Sequence, residues 1–122
     1  MFDLSLDDAQ QMVVDTARQF AARVLAPRAA RLDIEGGFPR ESLREAAELG
    51  LLGINVPEAL GGVEAGAVAY ALAVVELGRV CASTTVAMTV SNMVAEVVAK
   101  FGTPAQRELH VPRLCSGEYA VG

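Results

Sequence analysis

Apolar residues recur at steps of three and four near the start of the chain. Leu6, Ala9, Val13, Ala17, Phe20 and Val24 form one stripe, which predicts an amphipathic helix. Ser5, three residues before Asp8, has capping-box spacing and marks its start. Pro27 lacks a backbone donor and crowds the preceding turn, so it should kink or end this helix. Helix then resumes over Arg28 to Leu32 until Gly36-Gly37. A second helix reads from Pro39 through Leu43, Ala46, Ala47 and Leu49, with Gly50 as its stop. Leu51 to Pro57 reads as extended or irregular chain, and Gly61-Gly62 as a turn.

The next two helices carry a different pattern. The third, about Ala65 to Leu77 and ending near Gly78, is apolar on nearly every side, the mark of a buried helix. The fourth opens near Ser83 and closes at Phe101-Gly102, again apolar round most of its circumference but laced with small hydroxyls. Thr103-Pro104-Ala105-Gln106 then has the cap, first-turn proline and reaching glutamine of a fifth helix, running to roughly Leu114. Glu118-Tyr119-Ala120-Val121-Gly122 reads as the opening of a strand. The expected fold is all-α, an orthogonal bundle of about five helices with an irregular Gly/Pro-rich loop, ending at the start of a strand. Two helices apolar all round are hard to bury in so small a bundle, and their exposure in a lone monomer would invite aggregation. A solitary strand likewise leaves its backbone groups unpartnered. The pattern is that of the helical front end of something larger.

Composition sharpens this picture. The 122 residues allow one domain, and hydrophobic types make up 52% of them. Adding the 11 glycines brings the apolar share to roughly 61%, above the 45–50% or so of ordinary soluble domains. Mean hydropathy is +0.36, and the 20% charged content excludes intrinsic disorder. The formal charge of −5, with a pI near 4.8, argues against nucleic acid as a partner. Cys81 and Cys115 form no CxxC or Cys/His grouping, which suits a reducing, cytoplasmic location. The N-terminus has neither signal nor transit character. The longest uncharged stretch, Val80 to Ala95, holds six hydroxyl or amide side chains and falls short of a membrane span.

Candidate chemistry is sparse. Gly61-Gly62 lacks the strand-to-helix context of a phosphate loop. One histidine supports neither a metal set nor a triad, and His110 fits a surface or inter-helix role. Glu41, Glu45 and Glu48, with Arg44 among them, read as a solvated face. Glu76 and Glu96 each interrupt an apolar helix and should be paired or at an edge; Arg79, three residues on, is the expected partner of Glu76. Thr85, Thr89 and Met93 share one face of the fourth helix at one-turn intervals. Two readings stay open there. Each threonine can bond back to its own helix beside an ordinary core methionine, or the face can be the wall of a pocket that takes an acyl chain.

Two longer motifs carry a resemblance. Gly50-Leu51-Leu52-Gly53-Ile54-Asn55-Val56-Pro57-Glu58-Ala59-Leu60-Gly61-Gly62 resembles the G-L-x-G-I-x-x-P-E-x-x-G-G segment of acyl-CoA dehydrogenases. Phe101-Gly102-Thr103-Pro104-Ala105-Gln106-Arg107, followed by Pro112-Arg113-Leu114-Cys115-Ser116-Gly117-Glu118, is similar to that family's F-G-T-x-x-Q-K and P-x-L-x-x-G-E. The resemblance covers essentially the whole chain and is to the N-terminal helical domain. It implies a domain over 1–117, with 118–122 starting the connection to a middle β domain absent from this sequence.

In this family a flavin, FAD, sits between the middle and C-terminal domains. A glutamate of the C-terminal domain takes the α-proton of an acyl-CoA, and the β-hydrogen leaves as hydride to the flavin. Electrons then pass to an electron-transfer flavoprotein. That base lies downstream of this sequence, as does the T-E-P-x-A-G-S-D flavin segment, and Glu58 is not the base. The resemblance implies no catalytic, flavin or metal residue here, and no flavin retained by this chain alone. It implies one wall of the acyl-CoA pocket, formed by Thr89 and Met93, with Thr85, Val86 and Val90 as weaker members. The partners it implies are the missing domains or a second subunit, the electron-transfer flavoprotein and further copies in a homo-oligomer, with no membrane. Acyl-CoA oxidases and some flavin monooxygenases share this domain, and a free-standing acyl- or partner-binding module is the non-enzymatic alternative.

Overall fold

The computed structural model describes residues 2–119 and is all-α across them. Its helices are α1 (Asp8–Phe20), α2 (Ala26–Glu35), α3 (Arg40–Glu48), α4 (Ala67–Gly78), α5 (Ala82–Phe101) and α6 (Pro104–Cys115). A π-turn, Ala21–Leu25, joins α1 to α2 without a break, and a short 3-10 turn, Glu58–Leu60, lies in the long loop. The two joined helices count as one rod, so five rods result.

Pro27 neither ends nor breaks the first rod. The Ala26 N–H donates to the Ala21 carbonyl, a five-residue step, so the chain widens just ahead of the proline. A wider turn moves the preceding carbonyls off the ring they would otherwise strike. The extra residue also slips the apolar register. Val13, Val14, Ala17, Phe20 and Ala21 are buried, and Leu25 rather than Val24 takes the next fully buried place. At the N-terminus Asp7, not Ser5, is the cap. Its carboxylate accepts from Gln10 N–H, and the Gln10 side chain accepts from Asp7 N–H. A carboxylate is the stronger acceptor at the positive end of the helix. The second capping box, Thr103 with Gln106, is as the motif predicts.

Helix α1 packs on α4, α4 on α5, α5 on α6, and α3 on α5. One core joins α1, α3, α4, the start of α5 and Leu51, Leu52 and Ile54 of the loop. A smaller one gathers Val56, Ala95, Val111, Leu114 and Cys115. The expectation that α4 is buried all round fails. Ala69, Ala73 and Leu77 are buried, but Val68 and Val75 are about half exposed, because α1, the π-turn and α5 cover only part of this helix. Helix α5 begins at Ala82 with Cys81 as its cap, two residues earlier than Ser83 suggests.

The long loop is held by its own backbone. Val63 N–H donates to Gly53 O, Glu64 N–H to Val56 O, and Ala65 N–H to Ile54 O. Asn92 of α5 fastens it to the bundle. Its Oδ1 accepts from Ile54 N–H at 3.0 Å, while its Nδ2 donates to Leu51 O at 2.8 Å and Met88 O at 3.0 Å. At the other end of the chain, Glu118 and Tyr119 form a bend. The rest of the expected strand, Ala120 to Gly122, lies outside the described residues.

Glu76 pairs across the bundle. The Arg18 guanidinium of α1 donates to its carboxylate from Nε and one terminal nitrogen, at 3.3 and 3.1 Å, and Arg79 is the more distant partner at 4.0 Å. The hydrogen bond from Arg18 holds the Glu76 carboxyl below its ordinary range. A lowered folded value stabilises the fold above the unfolded carboxylate range, and that contribution is lost as pH falls through the folded value. Urea midpoints of wild type and Glu76→Gln should therefore differ at neutral pH and converge in acid. The difference should be small and shrink with salt, since Arg18 is 59% exposed.

Candidate functional site

The outward face of α5 is apolar and open. Val86 is 60% exposed, Met93 56% and Val97 52%, with Phe101 beyond them. Between this face and α4 runs an open depression of about 370 Å³, lined by Tyr70, Thr89, Val90, Met93, Glu96 and Val97. Three predicted residues, Thr89, Val90 and Met93, thus line one groove. The other two do not. Thr85 is buried within the bundle, and Val86 lies exposed outside the groove.

Helix geometry decides this division. The Thr85 hydroxyl donates to Cys81 O at 2.7 Å, and the Thr89 hydroxyl donates to Val86 O at 2.8 Å. The back-bonding reading therefore holds for both threonines. It is compatible with a groove at Thr89, because a hydroxyl satisfied within its own helix makes no polar demand on what lies against it. The lining is then chiefly the apolar parts of Val90, Met93 and Val97.

Tyr70, Glu96 and Val97 were not singled out as pocket residues by the sequence. Tyr70 comes from α4 and meets the groove only because α4 packs on α5. Burial, and secondarily the negative charge of Glu96, push the Tyr70 hydroxyl above its ordinary pKa and keep it protonated. Glu96 is half-buried at the groove edge, and its carboxylate accepts a long hydrogen bond of 3.5 Å from the Asn55 amide. Its interruption of an apolar helix was the available signal.

A second depression, of about 330 Å³, lies between α2 and α3 above Cys81 and Thr84. Two of its cations are already engaged. Arg28 contacts Glu45 at 2.8 Å and Ser42 at 3.1 Å, and Arg31 contacts Glu35 at 3.0 Å. The acidic face of α3 is thus partly tied to α2 rather than wholly solvated. His110 is half-buried, its ring tilted against Tyr119 at 6.0 Å. Among the described residues no group of three or more His, Cys, Asp or Glu could hold a metal ion, and no helix is long and apolar enough to cross a membrane.

Residues 7–118 match the family model for the N-terminal domain of acyl-CoA dehydrogenase. The chain is 40% identical over 116 residues to the short-chain specific acyl-CoA dehydrogenase of Bos taurus, covering 94% of this chain and 28% of that protein. It is 36% identical over 115 residues to an acryloyl-CoA reductase of Anaerotignum propionicum, covering 94% and 29%. The solved butyryl-CoA dehydrogenase of Megasphaera elsdenii superposes with a TM-score of 0.86 at 30% identity, over 96% of this chain and 32% of that one. The chain spans under a third of the length of these relatives.

Proposed function

The chain belongs to the acyl-CoA dehydrogenase family as its N-terminal domain, and on that premise we propose that it forms one wall of the acyl pocket in a flavin-dependent acyl-CoA dehydrogenase. The observation that carries this reading is the groove beside α5, where Thr89, Val90 and Met93 meet Tyr70 and Val97 along an open apolar face. An acyl tail laid there would cover methylene and methyl surface that is otherwise wet, at about 25 cal/mol per Å² of apolar area. Closing such a face over a substrate also excludes water from the reacting end.

The Gly61-Gly62 turn offers no cradle for a flavin phosphate. The space beside Gly62 is filled by Val56, and Gly61 faces the Pro112 backbone, so the one glycine pair in the long loop has no room for a phosphate. FAD belongs with the middle and C-terminal domains in this reading, where it accepts the β-hydrogen as hydride. Electrons leave to an electron-transfer flavoprotein, and the enzyme works as a homo-oligomer. The domain comprises residues 1–117, with 118–122 leading towards the middle domain. This chain contributes tail binding and exclusion of water, without the α-proton base.

The test is chain-length dependence in the flavoenzyme assembled from this chain and its complementary domains. Met93→Trp should fill the groove, lowering kcat/KM for medium and long straight-chain acyl-CoAs by about tenfold or more while sparing the shortest. An unchanged length profile overturns the assignment of the wall. Desaturation by this chain alone, given flavin and acyl-CoA, would overturn the division of labour.

A further inference from the structure

The groove is apolar along most of its length, but one end is polar. Glu96 and Lys100 are the only charges in α5, and they stand four residues apart with the acid first. That is the favourable order for a helical ion pair. No ion pair with Glu96 forms among the described residues; Lys100 lies instead over the Phe101 ring, its Nζ 5.4 Å from the centroid. The 3.5 Å contact from Asn55 is long, so the carboxylate keeps most of its acceptor capacity. Tyr70 lines the same groove, close enough for the charge of Glu96 to act on its hydroxyl.

A plain hydrocarbon tail reaching this end would strip water from a carboxylate and return no hydrogen bond, which is costly. A tail ending in a hydroxyl would replace that water with a charge-assisted hydrogen bond to Glu96. We propose that the Glu96–Tyr70 end of the groove selects acyl chains carrying a hydroxyl near the tail over plain chains of the same length. This rests on the acyl-wall reading above. Glu96 is then a specificity determinant that touches the substrate tail and takes no part in the oxidation itself.

The experiment uses the flavoenzyme assembled from this chain and its complementary domains. Its probes are matched pairs of straight-chain and terminally hydroxylated acyl-CoAs from short to long. At the length where the tail reaches Glu96, wild type should favour the hydroxylated partner by about tenfold in kcat/KM. Glu96→Leu should reverse the preference, and Glu96→Gln, which keeps an acceptor oxygen, should retain part of it. Flavin content should not change, and the preference is read as a ratio within each matched pair, so a general loss of rate does not affect it. The wild-type comparison needs no variant, so the absence of a hydroxyl preference at every length overturns the proposal even if Glu96→Leu does not fold. If Met93→Trp alters the length profile while the preference is absent, the acyl wall stands and only the role of Glu96 falls. If neither effect is seen, both fall.

Discussion

Asn92→Leu should destabilise the domain by about 3–5 kcal/mol, a large part of the roughly 5–15 kcal/mol that holds a domain of this size. Asn92 is wholly buried, and so is the Ile54 amide whose proton it accepts. Leucine fills similar volume but leaves the Ile54 N–H and Leu51 C=O without the partner each now has. Each orphaned buried group costs about 1–3 kcal/mol. The Met88 carbonyl loses less, since it lies within the helix and keeps its backbone bond. Asn92→Asp separates hydrogen bonding from shape. It retains the acceptor for Ile54, but at neutral pH it buries a charge and cannot donate to Leu51. Burial would raise the folded pKa of that carboxyl, so the deficit of Asn92→Asp should shrink as pH falls and the side chain regains a donor. Urea unfolding at two pH values measures both effects. A midpoint for Asn92→Leu close to wild type would show that the loop holds without this anchor.

The second large effect is expected at Gly62. A Cβ there would overlap the Val56 carbonyl oxygen and lie 2.5 Å from the Val56 carbonyl carbon. The obstacle is backbone, held by the Glu64 N–H bond to Val56 O, and it cannot swing aside as a side chain tip can. Gly62→Ala should cost about 3 kcal/mol or more, at or above the upper end of ordinary overpacking. Gly37→Ala is the control. Gly37 has φ +97° with nothing near its Cβ position, so alanine there meets only backbone strain, about 1–2 kcal/mol. Thermal or urea unfolding of the two variants should separate them clearly. Equal losses would show that the Val56 backbone gives way to the added methyl group, since Gly62 itself has no left-handed backbone to strain.

Both predictions concern the Leu51 to Gly62 segment, where the sequence was least explicit about structure. Its glycines, proline and lack of periodicity pointed to an irregular loop. They did not show that Ile54 and Val56 point into the two cores, or that an asparagine 38 positions from Ile54 holds the loop. Asn92 looked like one of several small polar residues on a greasy helix. The candidate groove was legible in the same partial way. Thr89, Val90 and Met93 share a face by helical spacing alone, but Tyr70 reaches it only through the packing of α4 on α5. Thr85 has the same one-turn spacing, and a neighbouring helix covers it.

The excess of apolar residues also has a definite place. Both suspect helices are half-covered, with Val68 and Val75 on α4 and Val86, Met93 and Val97 on α5 left outside. The sequence by itself determined the helical rods, their glycine stops, the second capping box and the family, because these depend on neighbours within a few positions or on ordered motifs. Only the tertiary structure decided the π-turn ahead of Pro27, the choice of Arg18 as the partner of Glu76, and which apolar faces remain open. Those outcomes depend on contacts between residues far apart in the chain, which no local periodicity encodes.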